Sequence, residues 1–264
     1  MPHPAALSKR LDVAVDAART AGGILYAGFQ AGAIDYETKS HRNDVVTALD
    51  LRADQAIIEI LRSSFPEDGI LTEESGQMGD SLNGQWVIDP LDGSSNYAQN
   101  IPHFATSIAF CLQDVPLIAC IHDPMRNETF TAVRGAGAAL NGRALHTSDQ
   151  QQLEGAFLCA GTSIHPDLRL RFHQLMPPFL QTARALRTTG SAALDLAYVA
   201  AGRFDAAWYP QLSWWDVAAG ILLIEEAGGY SSDLCGCAFA GPTSSILASN
   251  GPLHDTILYW LKRE

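Results

Sequence analysis

Five short segments rich in β-forming residues follow one another in the first half of the chain, at 70–72, 86–89, 106–112, 117–122 and 129–133. Turn residues such as Asp114 and Asn127 separate the later segments. Antiparallel strands can be joined by tight turns, whereas parallel neighbours need a crossover of about a dozen residues or more. The run therefore predicts an antiparallel meander, and this limits the folds that are open to the rest of the chain.

Helical patterns lie on both sides of this meander. Apolar residues at three- and four-residue steps predict a first helix from Leu7 to near Gly28, and Asp50 opens a second helix that ends at the Phe65-Pro66 break. Beyond Asn141, helices are predicted at about 166–180, 191–201, 215–227 and 252–262, with strands near 157, 185, 205, 229 and 245. The pattern predicts an α+β fold whose layers alternate as helix, sheet, helix, sheet and helix.

The composition is that of one globular unit. The chain has 264 residues, 47% of them hydrophobic, with no repeat or long linker. We expect a single domain over residues 1–264 with two subdomains, about 1–145 and 146–264. Asp and Glu outnumber Lys and Arg by 29 to 17, and the resulting net charge of −12 disfavours nucleic acid as a partner.

Several features of the sequence bear on location. Asp12 and Asp16 interrupt the apolar residues near the N-terminus, so the pattern of a secretory signal is not met. The longest strongly apolar run, Val217 to Ile224, is too short to span a bilayer. Five cysteines without the spacing of a disulfide framework suit a reducing compartment. We therefore expect a cytoplasmic protein that does not interact with membranes.

The most informative segment for chemistry runs from Trp86 to Asn96, where an apolar strand leads directly into a turn with two aspartates three residues apart. Because Pro90 has no N–H for ladder pairing, we expect the strand to end at Asp89 and the carboxylates of Asp89 and Asp92 to converge on one side of the turn. Two hard oxygen ligands in this arrangement suit Mg²⁺. The alternative is that both aspartates only form Asx-type turns at the strand end.

Gly93, Ser94 and Ser95 follow directly. A glycine allows the backbone to approach a ligand closely, and a helical turn that starts at Ser95 directs free N–H groups and a helix dipole at an anion. The segment is thus a candidate phosphate site beside a candidate metal site.

Other acidic residues lie at comparable points of the predicted elements. Glu73 and Glu74 follow a short apolar strand, and Asp216 lies in the first turn of a strongly apolar helix. Asp50 closes the segment Asn43–Asp50 before the second helix, with Lys39 upstream. A pair of Mg²⁺ ions needs carboxylates from several segments. Solvation at a strand end explains Glu73 equally well, and helix capping explains Asp50 and Asp216.

Taken together, these segments resemble the inositol monophosphatase family. The matching motifs, in order, are DVVTALD at 44–50, LTEES at 71–75, WVIDPLDGSSNY at 86–97, GSAALDLAYVAAGRFDAAW at 190–208 and WWDVAAG at 214–220. The resemblance covers nearly the whole chain. It implies a layered αβαβα sugar-phosphatase fold with an antiparallel sheet and a second, mixed sheet, and members that are commonly homodimers.

The same resemblance implies roles for individual residues. One Mg²⁺ would be held by Glu73, Asp89 and the carbonyl oxygen of Leu91, a second by Asp89, Asp92 and Asp216, and a third, weaker ion would lie near Glu73, giving two to three ions. Ser94 and Asp50 would orient the attacking water, with Glu73 also taking part in catalysis. The small phosphorylated substrate would contact Asp92, Gly93, Ser94, Gly190, Ser191, Ala192, Tyr209 and Asp216.

One departure from the family pattern concerns the substrate. Members specific for inositol carry a glutamate seven residues before the aspartate of the WD motif, and here that position is Tyr209, with Trp214 adding bulk at the same rim. Inositol 1-phosphate therefore competes with histidinol phosphate, fructose 1,6-bisphosphate and 3′-phosphoadenosine compounds as the substrate. Arg184, Arg187 and Arg203 are candidates for binding a second phosphate. A non-catalytic, cation-binding regulatory protein is the alternative of another class.

Overall fold

The computed structural model describes residues 4–32, 36–38, 45–162, 166–239 and 243–262. Lys39, Asn43 and Asp44 lie outside the described residues. The helices are α1 (Pro4–Ala31), α2 (Ala48–Ser64), α3 (Ser94–Ala98), α4 (Pro166–Gln174), α5 (Pro177–Thr182), α6 (Ala192–Ala200), α7 (Trp214–Glu226) and α8 (His254–Leu261), with a 3-10 turn at Leu153–Gly155. The strands are β1 (Tyr36–Thr38), β2 (Val45–Thr47), β3 (Gly69–Thr72), β4 (Gly76–Met78), β5 (Gln85–Asp92), β6 (Ala105–Leu112), β7 (Val115–Asp123), β8 (Glu128–Val133), β9 (Gly137–Leu140), β10 (Arg143–Ala144), β11 (Phe157–Ala160), β12 (Ala185–Arg187), β13 (Ala206–Ser213), β14 (Tyr230–Ser232) and β15 (Thr243–Ser249).

The strands form two large sheets and a small hairpin of β1 and β2. The first sheet has eight strands in the order β10-β9-β8-β7-β6-β5-β3-β4, and only the β3–β5 pair in it is parallel. The second has five strands in the order β12-β11-β13-β15-β14, with β11 parallel to both of its neighbours and the other pairs antiparallel. The predicted antiparallel meander is confirmed for the strands from β5 to β8, and the second, mixed sheet is confirmed. The prediction is wrong for the first two segments, because β3 pairs with β5 in parallel and the connection between them is long enough for a crossover.

Helices occupy three layers around these sheets. On the outer face of the first sheet, Leu25 of α1 and Ile57 of α2 join one buried cluster with β6. Between the sheets, Leu222 of α7 belongs to a second cluster that contains residues of both sheets and of α6. On the outer face of the second sheet, Phe179 of α5 and Ile257 of α8 pack with β13 in a third cluster. The predicted αβαβα layering is confirmed.

The structure corrects two local predictions, and proline explains both. The helix predicted at 166–180 is two helices, α4 and α5, because Pro177 and Pro178 favour a new helix start and cannot continue the hydrogen bonds of the old one. The strand expected to end at Asp89 continues to Asp92. Its pairing with β6 shifts register between these two aspartates, so Pro90 produces a bulge rather than an end.

Within the described part of the chain, we find no helix with both the length and the apolar character needed to cross a membrane.

Candidate metal centre

Glu73 and Asp89 lie side by side because the two strands before them are parallel. Thr72 of β3 pairs with Ile88 of β5, and the Glu73 N–H continues the ladder by donating to the Ile88 carbonyl at 3.1 Å. Parallel strands bring their carboxyl ends to the same edge of a sheet. Glu73, directly after β3, and Asp89, at the end of the regular part of β5, therefore lie next to each other.

Asp216 reaches the same point from the first turn of α7. Its Oδ2 accepts the backbone N–H of Ser213, the N-cap residue, at 2.7 Å, which fixes the carboxylate at the start of the helix. One carboxylate oxygen from each of Glu73, Asp89 and Asp216 lies within 4.8 Å of the others. Asp216 is thus both a helix-capping residue and a member of the acidic cluster. The two roles considered for it from the sequence, capping and membership of an acidic site, are therefore compatible.

The cluster is unfavourable without a positive charge. Burial raises the pKa of Asp89 well above its ordinary value, and the charges of Glu73, Asp92 and Asp216 raise it further. The pKa of Asp216 is raised in the same way, first by burial and then by Glu73 and Asp92. Oxygen ligands that converge and repel one another are what a divalent cation such as Mg²⁺ requires, so the residues present fit this ion.

Asp92 has a different environment. Its two carboxylate oxygens accept hydrogen bonds from the Ser191 hydroxyl, from the Ala192 N–H at 3.1 Å and from the Ala193 N–H at 3.0 Å. These N–H groups belong to the first turn of α6, which has no partners for them within the helix. Burial raises the pKa of Asp92 to about 7, against the effect of these hydrogen bonds. The Asp92 charge still reaches Asp89 and Asp216, and its role as a metal ligand stays a prediction.

Leu91 and Asp89 also form the turn that the alternative interpretation proposed. The Leu91 N–H donates to Asp89 Oδ1 at 3.0 Å, an Asx-type turn within the bulge. Both residues are buried. The turn holds the Asp89 carboxylate in the cluster, so turn formation and metal binding are compatible. Ligation by the Leu91 carbonyl stays a prediction.

The candidate phosphate site begins at Gly93, the N-cap residue of α3. Gly93 has φ 89°, a left-handed conformation that residues with a Cβ rarely adopt. A Cβ there would also lie 3.0 Å from the His103 carbonyl oxygen and 3.4 Å from that of Gly190. The helical turn starts at Ser94, one residue earlier than expected. Backbone segments are therefore closely packed where the sequence predicts a bound anion.

Asp50 lies beside the helix that starts at Ser94. It is buried in the first turn of α2. Burial, and then the Asp50 charge, raises the pKa of Tyr97 in α3 to about 12. The two elements are therefore neighbours, and the pairing of Ser94 with Asp50 stays a prediction.

A loop before α6 borders the Gly93 turn, and Asn96 connects the two. Asn96 Nδ2 donates to the His103 carbonyl at 2.8 Å and to the Thr189 carbonyl at 2.9 Å. Gly190 has φ 86°, and its Cβ would lie 3.1 Å from the Asn96 side chain. The structure thus brings the predicted substrate residues Gly190, Ser191 and Ala192 next to Asp92 and Gly93.

Tyr209 does not lie at an exposed rim, which corrects the picture drawn from the sequence. Its side chain is buried, and its hydroxyl donates to Asp195 Oδ2 at 2.5 Å. A Cβ on Gly161 would lie only 1.7 Å from the Tyr209 ring, so the ring fills the space that a side chain at residue 161 would take. The expected contact between Tyr209 and substrate stays a prediction, but the hydroxyl already has a partner.

Sequence reasoning missed Asp195. Its carboxylate is fully buried and accepts hydrogen bonds from Cys159 Sγ at 2.9 Å, Thr189 Oγ1 at 2.7 Å and the Tyr209 hydroxyl. Burial raises its pKa to about 6, and the three donors oppose this shift. The signal was available, because an aspartate within the apolar helical segment LDLAYVA must either lie on the surface or have buried partners.

Two of the three arginines considered for a second phosphate, Arg187 and Arg203, already have partners within the protein. Arg203 makes two hydrogen bonds to the Glu128 carboxylate, at 2.5 and 2.6 Å. Arg187 is exposed on β12 and donates to its own strand, at the Leu186 carbonyl. The ion pair accounts for Arg203 without a substrate.

The two packed sheets and the partly buried carboxylate cluster define a protein of the layered αβαβα class with an acidic centre at the ends of two strands and the start of a helix. A model of the inositol monophosphatase family matches residues 6–262, and the chain belongs to this family. It is 42% identical over 242 residues to a protein from Escherichia coli named Nus factor SuhB, covering 91% of each chain.

Two solved structures extend the comparison. The extragenic suppressor protein SuhB from Bartonella henselae has a TM-score of 0.92 and 34% identity over 97% of this chain and 99% of that one. An inositol monophosphatase from Anabaena has a TM-score of 0.85 and 36% identity over 97% of this chain and 96% of that one. The resemblance predicted from the sequence motifs is confirmed, and so is the fold.

Proposed function

We propose that the protein hydrolyses a phosphate monoester of a small polyol, similar to inositol 1-phosphate, in a reaction that requires two to three Mg²⁺ ions. The observation that carries the proposal is the convergence of carboxylate oxygens from Glu73, Asp89 and Asp216 within 4.8 Å, next to the Gly93 turn. Membership of the family supports it, as does the name inositol monophosphatase of the Anabaena relative.

Separate groups of residues would bind the ions and the phosphate. The ions would be held by Glu73, Asp89, the Leu91 carbonyl, Asp92 and Asp216. The Gly93 and Ser94 N–H groups would bind the phosphate oxygens. Bound Mg²⁺ supplies positive charge that lowers the pKa of water and stabilises the leaving oxygen.

Ser94 and Asp50 form the pair that takes part in proton transfer. The hydroxyl and the carboxylate orient a water molecule toward phosphorus, and the pair accepts its proton as the new P–O bond forms. The ester P–O bond breaks on the opposite side, solvent water protonates the leaving alkoxide to the alcohol, and the pair releases its proton to solvent. Glu73 would take part in activating the attacking water through the ion that it holds.

The substrate follows less directly from the site. Tyr209 stands where inositol-specific members carry a glutamate, and its hydroxyl is bonded to Asp195. We therefore expect measurable but unexceptional activity on inositol 1-phosphate, with histidinol phosphate, fructose 1,6-bisphosphate or a 3′-phosphoadenosine compound turned over comparably well. A phosphate-release screen of these four compounds with and without Mg²⁺ tests the proposal. No release from any of them with Mg²⁺ present would contradict it.

A second candidate function is a regulatory role, favoured by the name Nus factor of the Escherichia coli relative. In this role the acidic cluster would bind a cation for stability and the chain would act through a partner. The same phosphate-release screen separates the two, because a regulatory protein without catalysis gives no Mg²⁺-dependent release. The net charge of −12 favours a protein partner over nucleic acid.

Three further expectations belong to this proposal: a single domain with two subdomains at about 1–145 and 146–264, a homodimer, and a cytoplasmic location. The cluster between the sheets contains Val87 and Ile121 from the first half and Leu222 from the second, which supports one cooperative unit. Light scattering of the purified chain measures the oligomeric state.

A further inference from the structure

Asp195 is the one charged residue of α6, and the function proposed above gives it no role. It lies among apolar helix residues, fully buried, and its three donors come from separate segments. Cys159 is in β11, Tyr209 is in β13 and Thr189 is in the loop before α6. A buried carboxylate costs free energy unless it is hydrogen-bonded, and apolar residues of similar volume often give equal stability. Stability alone therefore does not explain this arrangement.

The Thr189 hydrogen bond connects Asp195 to the candidate site. The side chain and the backbone of Thr189 are both hydrogen-bonded. Its hydroxyl donates to Asp195 at 2.7 Å, and its carbonyl accepts from Asn96 at 2.9 Å. The next residue, Gly190, has φ 86°, so the chain reverses there. Fixing Thr189 thus fixes the direction in which the loop enters α6.

The end of this loop is the part that holds Asp92. The Ser191 hydroxyl and the Ala192 and Ala193 N–H groups all donate to the Asp92 carboxylate. A shift of the loop at Thr189 would change these donors together. The Cys159 thiol in β11 also donates to Asp195 and interacts with the Thr189 backbone, so it belongs to the same network.

We propose that Asp195 is a positioning residue that, through Thr189, sets the loop 189–193 and with it the orientation of the Asp92 carboxylate. Asp195 touches neither the substrate nor the ions. This proposal rests on the proposed function for the role of Asp92, but the position of the loop can be measured without catalysis. The loss of partners that orient a metal ligand commonly costs about 10- to 100-fold in metal affinity or activity.

The test uses two variants of the Asp195 network and one matched control. Asp195→Asn changes the acceptor itself, and Thr189→Val removes the donor on the loop with little change of shape. The control, Cys120→Ala, removes a buried thiol from β7 in the first sheet, away from the network. Amide hydrogen exchange at Ala192 and Ala193 reports the loop, calorimetric titration with Mg²⁺ reports ion binding, and kcat and KM report turnover.

We expect Asp195→Asn and Thr189→Val to speed exchange at these amides and to weaken Mg²⁺ binding by about 10- to 100-fold, with Cys120→Ala changing neither. Similar changes in Cys120→Ala would mean that any loosening of the core produces them and would overturn the proposal. So would a Thr189→Val protein that behaves as the wild type. If Asp195→Asn does not fold, the Thr189→Val and Cys120→Ala pair decides the question.

Failure of the proposed function gives a different result. A wild type that releases no phosphate contradicts the proposed activity, while the exchange rates at Ala192 and Ala193 still test the role of Asp195.

Discussion

Two groups of buried or half-buried carboxylates lie close together in this protein, and they are stabilised in opposite ways. Glu73, Asp89 and Asp216 face one another, and their mutual charges raise the pKa values of the two aspartates. Asp92 and Asp195 instead face donors of the protein, three each. The comparison teaches that burial of an acid does not identify its function. What distinguishes the groups is whether the fold itself supplies the positive partner.

The difference follows from the elements that meet at each point. The first group lies where two parallel strands end, and the N–H groups of those strands are already used in the ladder. The second group lies at the first turn of α6, which has N–H groups to give. A cation would balance the charges of the first group, whereas protein donors already meet the carboxylates of the second, including Asp92, which we propose as an additional ligand.

The largest effect is expected from Asp216→Asn. An asparagine oxygen can still accept the Ser213 N–H, so the α7 cap is kept while one charge of the first group is lost. We expect turnover with Mg²⁺ to fall by about 10³-fold or more with the fold intact, because loss of a charged ligand costs several kcal/mol in the transition state. Because Asp92 is also a proposed ligand, we expect Asp92→Asn to abolish turnover too.

The matched control is Asp114→Asn, the same chemical change in an exposed turn with φ 60° that asparagine tolerates. Near-normal kcat in the purified Asp216→Asn protein would contradict the metal assignment.

The next effect concerns Ser94→Ala, which leaves both carboxylate groups in place. We expect kcat to fall by about 10²- to 10⁴-fold with a much smaller change in KM, as for the loss of a group that positions a proton transfer. The exposed neighbour Ser95→Ala is the control and should keep kcat within a few-fold. A change confined to KM would make Ser94 a binding residue.

The two groups also predict how stability depends on pH. Because burial raises the pKa of Asp92 from 3.8 to about 7, the folded metal-free protein keeps a proton that the unfolded chain releases. The raised pKa of Asp89 acts in the same direction. The contribution of this proton to the free energy of unfolding is fully present below about pH 4, and it is lost as the pH rises through about 7.

Mg²⁺ favours the ionised carboxylates, so it should raise the melting temperature more at pH 8 than at pH 5. Calorimetric melting curves with and without Mg²⁺ at both pH values measure the difference. An equal or larger shift at pH 5 would show that the ion does not bind to these acids in their charged form.

The smallest effect is expected on selectivity. In Tyr209→Glu a second carboxylate would approach Asp195, and like charges there oppose the substitution. We therefore expect a gain in preference for inositol 1-phosphate of one to two orders of magnitude, the value of a charge-assisted contact of about 1.5 to 3 kcal/mol, only when Asp195→Asn accompanies it. The measurement is kcat/KM over the substrate panel. A full gain in the single variant would show that the two side chains do not compete.

The sequence predicted the parts of this protein that depend on local patterns. The meander was predictable because short turns separate its strands, and Asp89 was recognisable because it follows an apolar strand. The bulge at Pro90 and the break at Pro177 were not foreseen, although proline carries the signal for both.

Contacts between distant segments were beyond such patterns. The parallel pairing of β3 with β5 needs knowledge of the strand order, and no local pattern gives it. The donors of Asp92 lie about one hundred residues along the chain from it. The burial of Tyr209 depends on Gly161 and Asp195, which meet it only in the folded protein.

The absent side chain at Gly161 has a consequence for how this protein can change over evolutionary time. With Tyr209 in place, even alanine at residue 161 would put a carbon 1.7 Å from the ring, whereas a smaller residue at 209 would open that space. Substitutions at the two positions are therefore accessible in one order only, with Tyr209 changing first. A smaller residue at position 209 has to come first and leaves a cavity. A side chain at residue 161 can then fill that cavity.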